Sequence, residues 1–266
     1  MKTKSIKIKA FLTMLLVMVI ISCSSDNDNT PDPDPDIDTT DDIITELPAA
    51  FAAFDTDETD IYISGNGTTI TIETTGLPNH TTPYWSSSHP LYVAPTVTST
   101  GMMTPTRIDT SGRDLSGTLT VSAVPKKASS TTATSLGAIG IAVSGAYIYN
   151  DQEGNGPLDG AAGGLDYTGA HIGPSQYHYH LEPLAFTDDD DKLIGIMADG
   201  FLIYGRRDYP SNDYPTDLDA SGGHFGPTPT NPDGEYHYHI VNELYSTTGR
   251  YVIFAGSYQG TPNAIN

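Results

Sequence analysis

The 266-residue chain is poor in cysteine, in basic residues and in tryptophan. Cys23 is the single cysteine. No disulfide can therefore form within the chain, and no thiolate zinc site or iron–sulfur cluster can be assembled from it. Lysine and arginine number 12 against 33 aspartates and glutamates, a net charge of −21. Nucleic-acid binding needs a basic footprint, so it is not expected here. Acidity favours cations as partners in a general way. Beyond residue 22 no stretch shows an apolar repeat of helical period. Trp85, the only tryptophan, is expected to pack.

What is abundant is turn chemistry: 26 glycines, 19 prolines and recurrent β-branched runs. These predict an all-β fold, a turn-rich β-sandwich or barrel-like domain containing an internal duplication. Two alternating runs around Gly65-Asn66-Gly67 predict a hairpin. Glu46 to Glu58 reads as a short helix or a docking segment.

Residues 1–22 read as a lipoprotein signal peptide. Lys2, Lys4, Lys7 and Lys9 precede an apolar run from Ala10 to Ile21 that is short for a membrane span. Ile20-Ile21-Ser22-Cys23 resembles a bacterial lipobox, with Cys23 as the lipidated residue. Ser24-Ser25-Asp26 resembles the short acidic tag of lipoproteins displayed on the outer membrane. The expectation is a cell-envelope protein anchored to the membrane at Cys23. Residues 23–48 form an acidic, proline-rich tether, unable to bury a core. Residues 49–266 form the β domain, with repeats at about 137–180 and 193–239.

The repeat carries the chemistry. Leu165 to His180 and Leu218 to His239 share Leu-Asp, a hydroxyl residue, glycine, a histidine, Gly-Pro and a closing Tyr-His-Tyr-His. Six of the eight histidines lie in these two copies. Ile139 to Tyr149 matches Ile194 to Tyr204 at an offset of 55, which becomes 53 at Leu-Asp and 59 at Tyr-His-Tyr-His. Strands are kept and loops resized, so the halves are expected to fold alike and face each other.

Tyr-His-Tyr-His reads as a strand, with histidines on one face and tyrosines on the other. Histidines two residues apart have Cα atoms roughly 6.5–7 Å apart and can converge on one ion. His171, from a loop before the strand, would join His178 and His180; His224 would join His237 and His239. Three imidazoles suit Zn²⁺ or Cu²⁺. Asp166, Asp219 and Asp199 are candidates to orient a ligating ring or to ligate directly. A buried hydrogen-bond network without metal, or a metal-free binding site, remains open. So does the choice between two sites and one shared site.

The paired Tyr-His-Tyr-His segments, with Ala198 to Gly205 between them, resemble the YHYH-domain proteins from about Ile61 to Gly260. Gly76 to His80 is similar to a Gly-Ile-Pro-Asp-His element of that family. The resemblance implies a family and no activity. Relatives carry a cysteine after Leu-Asp-x in both copies, where this chain has Thr168 and Ser221. A covalent tie implied by the family is thus missing here.

Three functions are compatible with these residues. One is metal binding through the six histidines, to sequester or deliver the ion. A second is metal-dependent hydrolysis or copper oxidoreduction, with Asp199 or Glu182 as general base. A third is a surface module for a carbohydrate or protein partner, its histidines structural and its tyrosines in contact. Asp151, Glu153, Asn155 and Asp159 give their loop a weak resemblance to calcium loops. Arg206, Arg207 and Arg250 pair with acids or hold an anion. His80 and His89 are further pocket candidates.

Overall fold

Side-chain branching and turn residues together build a first sheet. The computed structural model describes residues 43–96, 106–110, 112–154 and 156–266. Cys23, the signal peptide, most of the tether and Asn155 lie outside them. After a short 3-10 helix, Ala49–Ala53, come β1 (Thr59–Ser64), β2 (Thr69–Thr74) and β3 (Gly117–Ser122). They pair antiparallel in that order, and β1 turns into β2 at Gly65-Asn66-Gly67, as expected. Asn66 takes φ 58°, a left-handed value that asparagine tolerates.

The duplicated region makes one eight-stranded sheet. The first half supplies β5 (Gly140–Ala142), β6 (Tyr147–Ile148), β9 (Ala170–Ile172) and β10 (Tyr177–Tyr179). The second supplies β11 (Leu193–Met197), β12 (Leu202–Tyr204), β13 (Gly223–Thr228) and β14 (Asn231–His239). Short pairs complete the fold: β4 (Thr132–Ala133) with β17 (Ser257–Tyr258), β7 (Gln152–Glu153) with β8 (Gly156–Pro157), and β15 (Leu244–Tyr245) with β16 (Arg250–Tyr251).

The order β13-β14-β12-β11-β5-β6-β10-β9 reads the same from either end once the halves are matched. At its centre Ile141 pairs with Ile196, its own counterpart at the offset of 55. Gly140 pairs with Met197 and Gly195 with Ala142, so a local twofold axis passes between the two isoleucines. The halves fold alike, as expected. They lie side by side in one sheet, however, rather than face to face. The sheet stays open, with β13 and β9 at its edges, so the sandwich alternative holds and the barrel does not. Ile70, Ile72, Leu119 and Val121 of the small sheet share one buried core with Ile141, Ile196 and Ile203 of the large one. Burial of such side chains contributes about 1.5–3 kcal/mol each.

Each half opens with a tight hairpin. Gly145 at φ 94° and Gly200 at φ 90° take matched positions. Gly200 N–H donates to the Met197 carbonyl, and Met197 N–H to the Phe201 carbonyl. This is a three-residue loop closed by a left-handed glycine, rather than the two-residue type I′ turn that Asp199-Gly200 suggests.

Candidate metal centres

In each half two strands and one loop bring four side chains together. His178 stands opposite His171 across β10 and β9, and His237 opposite His224 across β14 and β13. His171 therefore sits on a strand, not on a loop. Alternation places His180 beside His178 and His239 beside His237, with all tyrosines of the motif on the other face. The parallel neighbours match as well: Tyr179 pairs with Ile148, and Tyr238 with Ile203. Glu153, on β7, completes the first group, and Asp208 completes the second. In each group the candidate donor atoms all lie within 4.8 Å of one another. The six motif histidines thus form two groups, one per half.

The hydrogen bonds decide which nitrogen is free. His178 Nδ1 lies 2.9 Å from the Gln176 carbonyl, and His180 Nδ1 2.6 Å from that of Asn150. His237 Nδ1 lies 3.0 Å from the Glu235 carbonyl, and His239 Nδ1 2.8 Å from that of Gly205. A carbonyl only accepts, so each Nδ1 donates its hydrogen, and in the neutral ring Nε2 is left with a bare lone pair. Yet the Nε2 atoms of His178 and His180 are 2.9 Å apart, and so are those of His237 and His239. Two bare lone pairs that close repel unless a cation lies against them.

The remaining distances point the same way. His224 Nε2 is 3.2 Å from His239 Nε2 and 3.4 Å from Asp208 Oδ1. Glu153 Oε2 is 3.3 Å from His171 Nε2 and 3.4 Å from His180 Nε2. Donors about 2.0–2.1 Å from one ion stand roughly 2.9–3.4 Å apart at angles between square and tetrahedral. His171 Nε2 and Asp208 Oδ1 are buried without a hydrogen-bond partner among the described residues. Such orphaned atoms are rare in native interiors and need a reason. A metal ion fits these residues: three imidazoles and a carboxylate in each half, nitrogen-rich and free of thiolate.

Burial keeps the rings neutral. It lowers the His171 and His180 pKa values to about 4 and His239 to about 3, and it pushes His178 well below the ordinary range. His237 is lowered by the same cause. A proton shared between the Nε2 pairs is therefore disfavoured at neutral pH, whereas a metal needs the neutral ring. Tyr149 stacks on His178 at 3.6 Å between ring centres, while Tyr204 meets His237 edge-on at 5.3 Å.

The other candidates sit elsewhere. Asp166 accepts from Thr82, Thr168 and Tyr177. Asp219 accepts from Ser221, Tyr236, Lys127 and Gln259. Asp199 accepts from Tyr238 and Gly260, and burial raises its pKa. All three carboxylates thus brace the tyrosine face rather than orient a histidine. The carboxylate that does orient one is Asp217, which accepts from His224 Nδ1 at 2.8 Å. Glu182 is buried against Arg206, whose guanidinium also reaches Asp189, and Arg207 pairs with Asp189. Arg250 donates to the carbonyls of Tyr167 and Glu182. His80 bonds the Tyr179 hydroxyl at 2.5 Å, and His89 stacks on the buried Trp85. In the acidic loop Glu153 belongs to the histidines, while Asp159 accepts from Tyr245 and Thr247.

Glu153 was expected only as part of a weak calcium-like loop and Asp208 was not singled out, though a signal was present. The offset of 55 that matches Tyr149 to Tyr204 carries Glu153 onto Asp208. Asp217 had no such signal, since its counterpart at the offset of 53 is Gly164.

An all-β protein with a histidine–carboxylate group in each of two like halves is the class that fold and site define. A family model described as YHYH protein matches residues 118–216, so this part of the chain is similar to the YHYH-domain family. The match takes in the first Tyr-His-Tyr-His and ends before the second. No curated protein matches the chain, and no solved structure does.

Proposed function

We propose that the protein binds two transition-metal ions, Zn²⁺ or Cu²⁺, one in each half. His171, His178, His180 and Glu153 hold the first; His224, His237, His239 and Asp208 hold the second. The observation that carries this reading is the pair of hydrogen-free Nε2 atoms 2.9 Å apart, found in both halves. The protein acts as a binder that sequesters or delivers the ion at the cell envelope, anchored through Cys23. The lysine-led apolar segment and the lipobox-like Ile20-Ile21-Ser22-Cys23 support the anchor.

The test is metal content of untagged protein after loading and desalting. About two equivalents are expected, falling to one in His178→Ala or in His237→Ala and to none in the double variant. Less than about a tenth of an equivalent in the loaded wild type would sink the reading. For the anchor, Cys23→Ser should move the protein from the membrane to the soluble fraction; retention in the membrane speaks against it.

A further inference from the structure

The duplication supplies an internal comparison on the tyrosine face, away from the histidines. In the first half that face is covered by the chain's own loop. Thr82 Oγ1 donates to Asp166 Oδ2 at 2.5 Å. Tyr84 meets Tyr177 edge-on at 5.9 Å, and its hydroxyl donates to the Gly164 carbonyl. The Leu77 carbonyl lies against Gly145. Tyr177 and Tyr179 end fully buried.

The offsets carry these anchor points to the second half as Asp219, Tyr236, Asp217 and Gly200. All four line a groove of about 710 Å³ between the two sheets. Its walls are largely apolar, with Phe51, Val121, Phe201 and Phe225 among them. Phe225 is 71% exposed although it carries a large apolar ring. At the anchor points that Thr82 and Tyr84 cover in the first half, Lys127 reaches in, with Nζ 4.3 Å from the centre of the Tyr236 ring and 3.1 Å from Asp219, while Gln259 Nε2 donates to Asp219 at 3.0 Å and Phe201 meets Tyr236 edge-on at 4.7 Å. The Lys127 side chain is 48% exposed, so it can swing away.

We propose that this groove docks an extended peptide segment of another protein, laid down as Thr82-Pro83-Tyr84 is in the first half. Its hydroxyl side chain takes the place of the Lys127 ammonium on Asp219, beside the Gln259 amide, and its next bulky side chain lies on Tyr236 in place of Lys127. Charge selects the occupant. The lining holds the carboxylates of Asp217, Asp219 and Glu235 against the single ammonium of Lys127. Asp217 stands where the first half has only a glycine, so a neutral or basic segment is favoured there. A second copy of a chain with net charge −21 meets that rim with the wrong sign. The groove adjoins the second metal centre, since His224 and Asp217 also line it, but the contacts at Asp219, Tyr236 and Phe225 need no metal and survive failure of the metal reading.

The probe is an amidated peptide of residues 78–86, carrying a neutral dye, made also with Tyr84→Arg. Fluorescence anisotropy with the full chain should show saturable binding, on the order of 1–100 µM, tighter for the arginine form. Phe225→Ala should weaken binding about tenfold with metal content unchanged. Because Phe225 is exposed, its loss leaves the core intact. Lys127→Ala should tighten binding severalfold by uncovering Tyr236. No saturation of either peptide up to about 1 mM overturns the proposal. So does binding that neither substitution alters, or a Phe225-dependent dimer that binds no peptide.

Discussion

Imidazole has two nitrogens, and in four of the six motif histidines a main-chain carbonyl takes the first. In His224 that role falls to the side chain of Asp217, whose carboxyl is held below its usual range chiefly by this bond. Asp217→Asn should therefore lower metal affinity at the second centre about 10–100-fold and leave the first alone. A chelator competition resolving the two binding steps would show it; an equal loss at both centres would contradict it. Acid should act on the metal-free protein. The unfolded chain takes up protons below the ordinary histidine value of 6.5, whereas folded His171 and His180 do so only near 4. Stability is thus full above pH 6.5 and is lost as the pH falls toward 4. Urea midpoints between pH 7 and 4.5 should fall, with a smaller slope in His180→Gln. An unchanged slope in that variant would remove histidine burial as the cause.

At the scale of single elements, the two matched hairpins differ in what stands over their glycines. A Cβ at Gly145 would meet the Leu77 carbonyl at 2.8 Å, a backbone atom that cannot step aside. At Gly200 it would meet side-chain carbons of Pro125 and Val121 at 3.2 and 3.3 Å. Both positions also carry the strain of a positive φ, of order 1–3 kcal/mol for alanine. Gly145→Ala should destabilise more than Gly200→Ala in urea unfolding; the reverse order would mean that the loop over the first hairpin yields. Strand facing was legible in the sequence, because a period of two leaves Tyr-His-Tyr-His one way to place its rings. Turn geometry was not, since Asp199-Gly200 suits both a two-residue and a three-residue loop. Asp166 and Asp219 were misplaced for a related reason. An aspartate two residues before Thr168 or Ser221 makes a local turn to that residue's N–H, which holds the carboxylate away from the histidines.

For the molecule as a whole, the duplication was visible and the arrangement of the halves was not. The offset of 55 identifies Ile141 with Ile196 but does not say that they touch. The covering of the first half by the segment around Thr82 was equally hidden, because that segment lies outside the repeat and has no counterpart to align. Both depend on contacts between distant parts of the chain, which local pattern does not record. The contact of Ile141 with Ile196 has a further consequence. It is the join that twin subunits make across a dyad, with a residue meeting its own image. A half-length ancestor bearing that strand would have had a bare hydrogen-bonding edge, and a sibling molecule would have satisfied it. Joining such siblings in one polypeptide would make their meeting independent of concentration, and would free each copy to accumulate changes that a symmetric pair must share.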